Sequence, residues 1–188
     1  IKLAESLMES IDVIILQDYN KGVLTSEVIE GVIKSANKKG ISTIVDPKKQ
    51  NFNSYQNCTI FKPNLAEIKA GMNIDFNADN VSEIEKASTE LRTLLNAKGV
   101  LLTLSERGIC INSSDGFKHT PAFKRDIIVV SGAGDTVIAV ASLCLASGIK
   151  YTDLSALSTL AGGIVCEEVG VMPINKEKLL AEAIKLIQ

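Results

Sequence analysis

The chain has 188 residues, 46% of them hydrophobic, which is enough apolar mass for a buried core and excludes a disordered chain. Its 20 Lys and Arg against 22 Asp and Glu leave a formal charge of −2, so no global basic field points to nucleic acid or to an anionic membrane. The longest apolar stretches, Val137 to Ala146 and Ala156 to Cys166, fall short of the ~20 residues that a membrane span needs, and a cytoplasmic protein is expected. The first residue is Ile1 and a helical pattern follows at once, which gives the expectation of a piece of a longer polypeptide.

In chain order, Leu3, Leu7, Met8 and Ile11 mark one helical face, and Val13 to Leu16 is an apolar run of strand length. Asp18 to Gly22 turns the chain. Thr25 or Ser26 can cap a helix whose face carries Val28, Ile29, Val32, Ile33 and Ala36, ending at Gly40. Strands are predicted at Ile41 to Val45, stopped by Asp46-Pro47, and at Thr59 to Lys62, stopped by Pro63-Asn64. A short helix over Leu65 to Ala70 and a loop over Asn73 to Asn80 follow, and Ser82-x-x-Glu85 has the form of a capping box for the next helix. Val100 to Leu104 reads as a strand, Ile109 to Thr120 as a hairpin around Ser113 to Gly116, and Ile127 to Val130 as a further strand. Helices are expected over Thr136 to Ala146, Thr152 to Glu168 and Lys176 to Ile187. Apolar strands without polar alternation, interleaved with helices, predict an α/β fold with a largely parallel sheet covered on both faces. In such sheets ligands collect at the carboxyl ends of the strands, which is where the unusual residues fall.

Cys58, Cys110, Cys144 and Cys166 form no C-x-x-C pair and His119 is the single histidine, so a structural zinc site is not expected and the cysteines read as buried thiols. His119, in a predicted exposed strand, is a weak candidate for catalysis. Ser131-Gly132-Ala133-Gly134-Asp135-Thr136 is the sharpest segment. Small residues between a strand and a helix let backbone N–H groups converge at a helix N-terminus, where an anion such as phosphate is favoured. Asp135 there is either a helix cap or a reactive carboxylate. Neither the dinucleotide fingerprint nor the Walker loop is completed.

Gly132 to Thr136 resembles the second signature of the ribokinase-like (PfkB) carbohydrate kinases, and Asn64-Leu65-Ala66-Glu67 resembles their N-x-x-E motif. Asp18-Tyr19-x-Lys21-Gly22, Asp46-Pro47-Lys48 and Lys62-Pro63-Asn64 bring the likeness nearer to the branch that phosphorylates D-glycero-beta-D-manno-heptose 7-phosphate. The resemblance covers the whole chain. It implies a three-layer α/β/α fold and a chain, 1–188, that is the nucleotide-binding rear of a sugar kinase domain, with the sugar-binding and lid portion in front of it. It also implies ATP and Mg²⁺ as requirements, a sugar phosphate as substrate for lipopolysaccharide core synthesis, and a homodimer in the full-length protein.

By the same resemblance Asp135 is the base, and the N–H groups of Gly132, Ala133 and Gly134 stabilise the transferred group. Asn64 and Glu67 hold a water-mediated Mg²⁺ and the phosphates, and Thr103, Ser105, Gly108, Gly163 and Cys166 complete the nucleotide site with Gly132 and Gly134. Asp18, Lys21, Asp46 and Lys48 are placed near the phosphates. Each has a plainer reading: Asn64 as a cap, Glu67 and Lys48 as solvated charges, Thr103 to Gly108 as an ordinary turn, and Gly162-Gly163 as a close-packing step between helices. Ser105 stands where the family commonly has Gly, and Val129 where it usually has an Asp whose side chain can help bind a monovalent cation, so the resemblance leaves cation activation open.

Overall fold

The computed structural model describes residues 1–187. Helix α1 (Lys2–Leu7) leads into strand β1 (Val13–Gln17), and α2 (Ser26–Lys39) into β2 (Ser42–Asp46). A 3-10 turn (Lys49–Ser54) precedes β3 (Ile60–Phe61), and α3 (Leu65–Met72) and α4 (Val81–Leu94) precede β4 (Gly99–Thr103). After a 3-10 turn (Ser105–Arg107), β5 (Ile109–Ser113) and β6 (Gly116–Thr120) form a hairpin, and α5 (Ala133–Ala146), α6 (Tyr151–Val165) and α7 (Lys176–Ile187) complete the order.

The six strands lie side by side in chain order. Strands β1 to β4 are parallel, and β5 and β6 are antiparallel, so the sheet is mixed. Alternation along each strand sends neighbours to opposite faces. Val45, Phe61, Val100 and Leu102 pack with Ile29, Val32 and Ile33 of α2, Ile68 of α3, and Ile84 and Leu91 of α4. Ile44, Ile60, Leu101, Ile109 and Ile111 pack with Val137, Ile138 and Ala141 of α5 and Leu154 and Ala161 of α6. Two helical layers therefore enclose one sheet, a three-layer α/β/α arrangement, and α7 packs on α6 through Ala183, Leu160 and Ile164. The helix starts follow the side chains available. Thr25 Oγ1 accepts the Val28 N–H, and Asn64 and Glu67 form a reciprocal capping box on α3.

Three expectations need correcting. Ile127 to Val130 is not a strand. It is an irregular segment outside the sheet, held by Ile128 and Val129 N–H groups that both donate to the Cys166 carbonyl, and Ile127, Ile128 and Val130 are exposed. The outer edge of β6 stays unpaired by a strand, and the segment's N–H groups go instead to the carbonyl of Cys166, which follows α6. Helix α4 is capped by Asn80, whose side chain accepts from Ser82 N–H, and not by Ser82. Asn80 wins because Glu83 steadies it, taking a bond from Asn80 Nδ2 at 2.8 Å and one from the Asn77 N–H at 2.7 Å. The two edge strands also depart from burial on both faces. Ile15 of β1 is 42% exposed, and β6 alternates exposed and covered residues.

Candidate active site

The carboxyl ends of the parallel strands bring the polar residues together. Gln17 of β1 is in register with Asp46 of β2, Lys62 directly follows β3, and a bridge sets Asn64 beside Thr103 at the end of β4. The N-terminus of α5 lies over these ends. Gln17 Nε2 donates to Asp46 Oδ2 at 3.0 Å and to Asp135 Oδ1 at 2.7 Å, and Lys62 Nζ lies 2.9 Å from Asp46 Oδ1. A Cβ on Gly134 would sit 3.9 Å from that ammonium. Lys62 is buried and Asp46 nearly so, while Asp135 is exposed. Burial pushes the Asp46 carboxyl above its ordinary value, further than the charge and hydrogen bond of Lys62 pull it down.

The start of α5 is built for open backbone donors. Gly132 is the N-cap at φ +84° with no side-chain cap, and a Cβ there would meet Val171 Cγ1 at 2.9 Å, so conformation and space both demand glycine. The first N–H groups of a helix have no intrahelical acceptor. Of these, Ala133 N–H donates to Val130 O at a long 3.4 Å. Asp135 lies in the first turn, where a negative side chain suits the helix dipole.

Beside this terminus is a cavity of about 620 Å³. Asn64, Thr103, Ser105, Gly108, Ala133, Gly134, Gly163 and Cys166 line it, which gathers most of the residues that the sequence motifs single out from β4, α5 and α6. Gly132 and Glu67 lie outside the lining. Its walls are tightly made. Gly108 adopts φ +92°, and a Cβ would fall 2.1 Å from the Thr120 carbonyl oxygen. Ser105 occupies the left-handed region at φ +53°, which explains why glycine suits that position. A Cβ on Gly162 would meet Val137 of α5, and one on Gly163 would meet the side chain of Arg125 in the segment before α5, so Gly162 serves close helix packing and Gly163 leaves room for Arg125, while both line the cavity. Arg125 in turn pairs with Glu167 and Glu182.

The remaining sequence candidates separate. Glu67 Oε1 pairs with Lys48 Nζ at 3.0 Å, and Oε2 accepts the Asn64 N–H, so the capping role of this pair is realised and Lys48 is not a free loop charge. The Glu67 bond is also what raises the Lys48 ammonium above its ordinary value. Asp18 is buried and accepts from Asn20 N–H at 2.7 Å, Asn51 Nδ2 at 3.1 Å and Tyr55 Oη at 2.8 Å. Burial, with that bond, raises the Tyr55 phenol. Asp18 and Lys21 line a second, smaller hollow with Gln17 and Tyr19. His119 Nε2 bonds to the Arg107 carbonyl, a structural contact. Gln17, Asn51 and Tyr55 are the participants that motif reading misses, and it gives Lys62, quoted within Lys62-Pro63-Asn64, no role. The one signal was a polar residue closing an apolar run, as Gln17 closes Val13 to Leu16 and Lys62 closes Ile60-Phe61.

Residues 2–178 match the pfkB family carbohydrate kinases. The chain belongs to the pfkB family. Among curated relatives, the bifunctional protein HldE of Koribacter versatilis (strain Ellin345) is 36% identical over 181 residues, covering 94% of this chain and 37% of the relative. HldE of Methylobacillus flagellatus is 36% identical over 180 residues, covering 96% and 36%. This pfkB chain thus spans little more than a third of the length of those relatives. Of solved structures, phosphofructokinase-2 from Escherichia coli in complex with potassium superposes with a TM-score of 0.87 at 20% identity, covering 100% of this chain and 62% of that one. Ribokinase of Arabidopsis thaliana, complexed with ribose and ATP, gives 0.78 at 17% identity, covering 96% and 58%. These two likenesses are of fold, and agree with the three-layer arrangement. No helix among the described residues is long and apolar enough to cross a membrane, and no cluster of three or more His, Cys, Asp or Glu there could hold a metal ion.

Proposed function

We propose that this chain supplies the nucleotide site and the catalytic base of an ATP- and Mg²⁺-dependent sugar kinase. The carrying observation is the juxtaposition of a 620 Å³ cavity with the open N-terminus of α5, whose first turn presents Asp135. Phosphoryl transfer needs alignment and electrostatic stabilisation more than covalent help from the protein. In this reading the nucleotide occupies the cavity between Thr103 to Gly108 and Gly163 to Cys166, with its phosphates directed to the helix start. The N–H groups of Gly132, Ala133 and Gly134 meet the charge that grows on the transferred group. The sugar hydroxyl attacks the γ-phosphorus, its O–P bond forms as the bond to the leaving ADP oxygen breaks, and Asp135 takes the hydroxyl proton.

Asn64 and Glu67 offer oxygen donors alone, which suits a small divalent ion that keeps several of its waters, so the donor set fits Mg²⁺. These two residues would hold it through water. When bound, the ion neutralises phosphate charge. Lys48, already on Glu67, and Lys62, whose ammonium would lie 3.9 Å from a Cβ on Gly134, are two cations that could face the phosphates in this reading.

The acceptor proposed is the anomeric hydroxyl of D-glycero-beta-D-manno-heptose 7-phosphate, giving the 1,7-bisphosphate for ADP-heptose and lipopolysaccharide core synthesis. The identity with HldE proteins and the Asp18-Tyr19 and Asp46-Pro47-Lys48 motifs support it. A homodimer of the whole polypeptide belongs to the same proposal. Turnover should fall at least ~10²-fold on Asp135→Asn, the lower end for loss of a general base. Wild-type turnover in that variant rejects the base, and a panel in which an unphosphorylated sugar outpaces the heptose phosphate rejects the substrate. Because the chain covers only 62% of the phosphofructokinase-2 fold, a second reading is a nucleotide-binding unit without turnover of its own. Calorimetry showing ATP binding by these 188 residues with no phosphate transfer would favour it.

A further inference from the structure

We infer that Gln17 is the positioning residue for Asp135, holding the carboxylate through one side-chain amide that also grips Asp46. The inference rests on the reading of Asp135 as the base. Gln17 Nε2 carries two hydrogens and stands between two carboxylate oxygens, Asp46 Oδ2 at 3.0 Å and Asp135 Oδ1 at 2.7 Å. An ionised carboxylate only accepts, so the amide nitrogen, and not the amide oxygen, has to face both. The remaining Asp46 oxygen is taken by buried Lys62 at 2.9 Å.

A chain of four side chains thus runs from the sheet interior, Lys62 to Asp46 to Gln17 to Asp135, and its last member is the exposed one. The Gln17 bond is the one side-chain hydrogen bond that Asp135 makes among the described residues. Without it a carboxylate on the exposed first turn of a helix is free to change rotamer. With it Oδ1 is occupied, and Oδ2 is the oxygen left to accept a proton. The neutral amide also lets two carboxylates approach one donor, whereas a third carboxylate at position 17 would set like charges together. Gln17 lies outside the lining of the nucleotide cavity, so its effect falls on the chemical step and spares nucleotide binding.

The test is a double-mutant cycle on the whole polypeptide, with the fastest sugar of the panel and labelled ATP. Gln17→Met, close in length and without donors, should lower kcat roughly 10- to 100-fold, the cost of a misplaced group, with the KM for ATP within about twofold. Gln17→Glu should lower kcat at least as far. In an Asp135→Asn background Gln17→Met should change kcat by less than about twofold, since residues acting as a unit are not additive. If Asp135→Asn lowers kcat but Gln17→Met keeps the wild-type kcat, or lowers kcat by the same factor in both backgrounds, the positioning role is wrong. If Asp135→Asn itself keeps wild-type kcat, the proposed function fails first. Gln17→Ser runs the same cycle should the Met variant not fold. One readout needs no turnover: the Gln17 side-chain ¹⁵N–¹H signals should move on Asp135→Asn, and unmoved signals overturn the inference.

Discussion

Lys62 and Asp46 form an ion pair, Nζ to Oδ1 at 2.9 Å, with side-chain exposures of only 4% and 13%. Each partner offsets the other's loss of hydration, so removing one leaves a charge stranded. Asp46→Ala should cost about 3–5 kcal/mol of stability. Asp46→Leu combined with Lys62→Met should recover most of it, because a buried pair exchanged for apolar side chains is often neutral. Urea denaturation of the three proteins checks this, and a single variant as stable as wild type would contradict it.

Ser105 holds φ +53° on the cavity wall. A non-glycine residue in the left-handed region costs about 1–2 kcal/mol, and glycine returns about 0.5–1 kcal/mol of that as unfolded-chain entropy. Ser105→Gly should therefore stabilise the fold by roughly 0.5–1 kcal/mol, read as a higher urea midpoint at unchanged slope. A lower midpoint would mean that the serine hydroxyl contributes something the geometry does not show.

Helix α7 is tied to the body by Lys178 on Glu167 and by Arg125 on Glu182. The Lys178 bond, with Arg125 nearby, holds the Glu167 carboxyl below its ordinary 4.5. A depressed carboxyl contributes stability that is complete above the unfolded value and lost as pH falls through the folded one. Protection factors in α7, with the intrinsic pH dependence of amide exchange divided out, should fall as the pH drops below about 4.5, more steeply than in α5, and Glu167→Gln should remove that difference. Equal acid sensitivity of α5 and α7 would count against it.

All four cysteines are free and buried. Burial pushes the Cys58 and Cys110 thiols up to about 12, and raises Cys144 and Cys166 as well. A thiol reagent at pH 8 should find no rapidly reacting cysteine in the native protein and four after unfolding. Cys166 lines the large cavity, so any slow native reaction should map there and be suppressed by ATP.

The fold was largely readable because local rules and the tertiary structure agree. Ile41, Ile44 and Val45 mark a strand that stops at Asp46-Pro47, and Thr25 and Gly40 bracket α2 with a cap and a left-handed turn. Reading failed where two local signals competed. Asn80 and Ser82 both had capping chemistry, and only the Glu83 contacts decide between them. Ile127 to Val130 had strand composition, but composition does not report that these N–H groups are taken by the Cys166 carbonyl and not by the open edge of β6. At the candidate site the glycines and Asp135 were visible as a contiguous motif, while Gln17 was not. Its partner lies 118 residues along the chain, and no periodicity connects a polar residue at a strand end to a helix start that far away.

That separation also bears on how the protein folds. Strands β4, β5 and β6 pair within one contiguous stretch, Gly99 to Thr120, and such short-range contacts close rapidly. Gln17 and Asp135 meet only after nearly the whole sheet and α5 have docked, a closure with a large entropic cost. The expected order is hairpin first and candidate site last. A partly folded chain then has most of its core but no aligned carboxylate, and acquiring the site coincides with completing the fold.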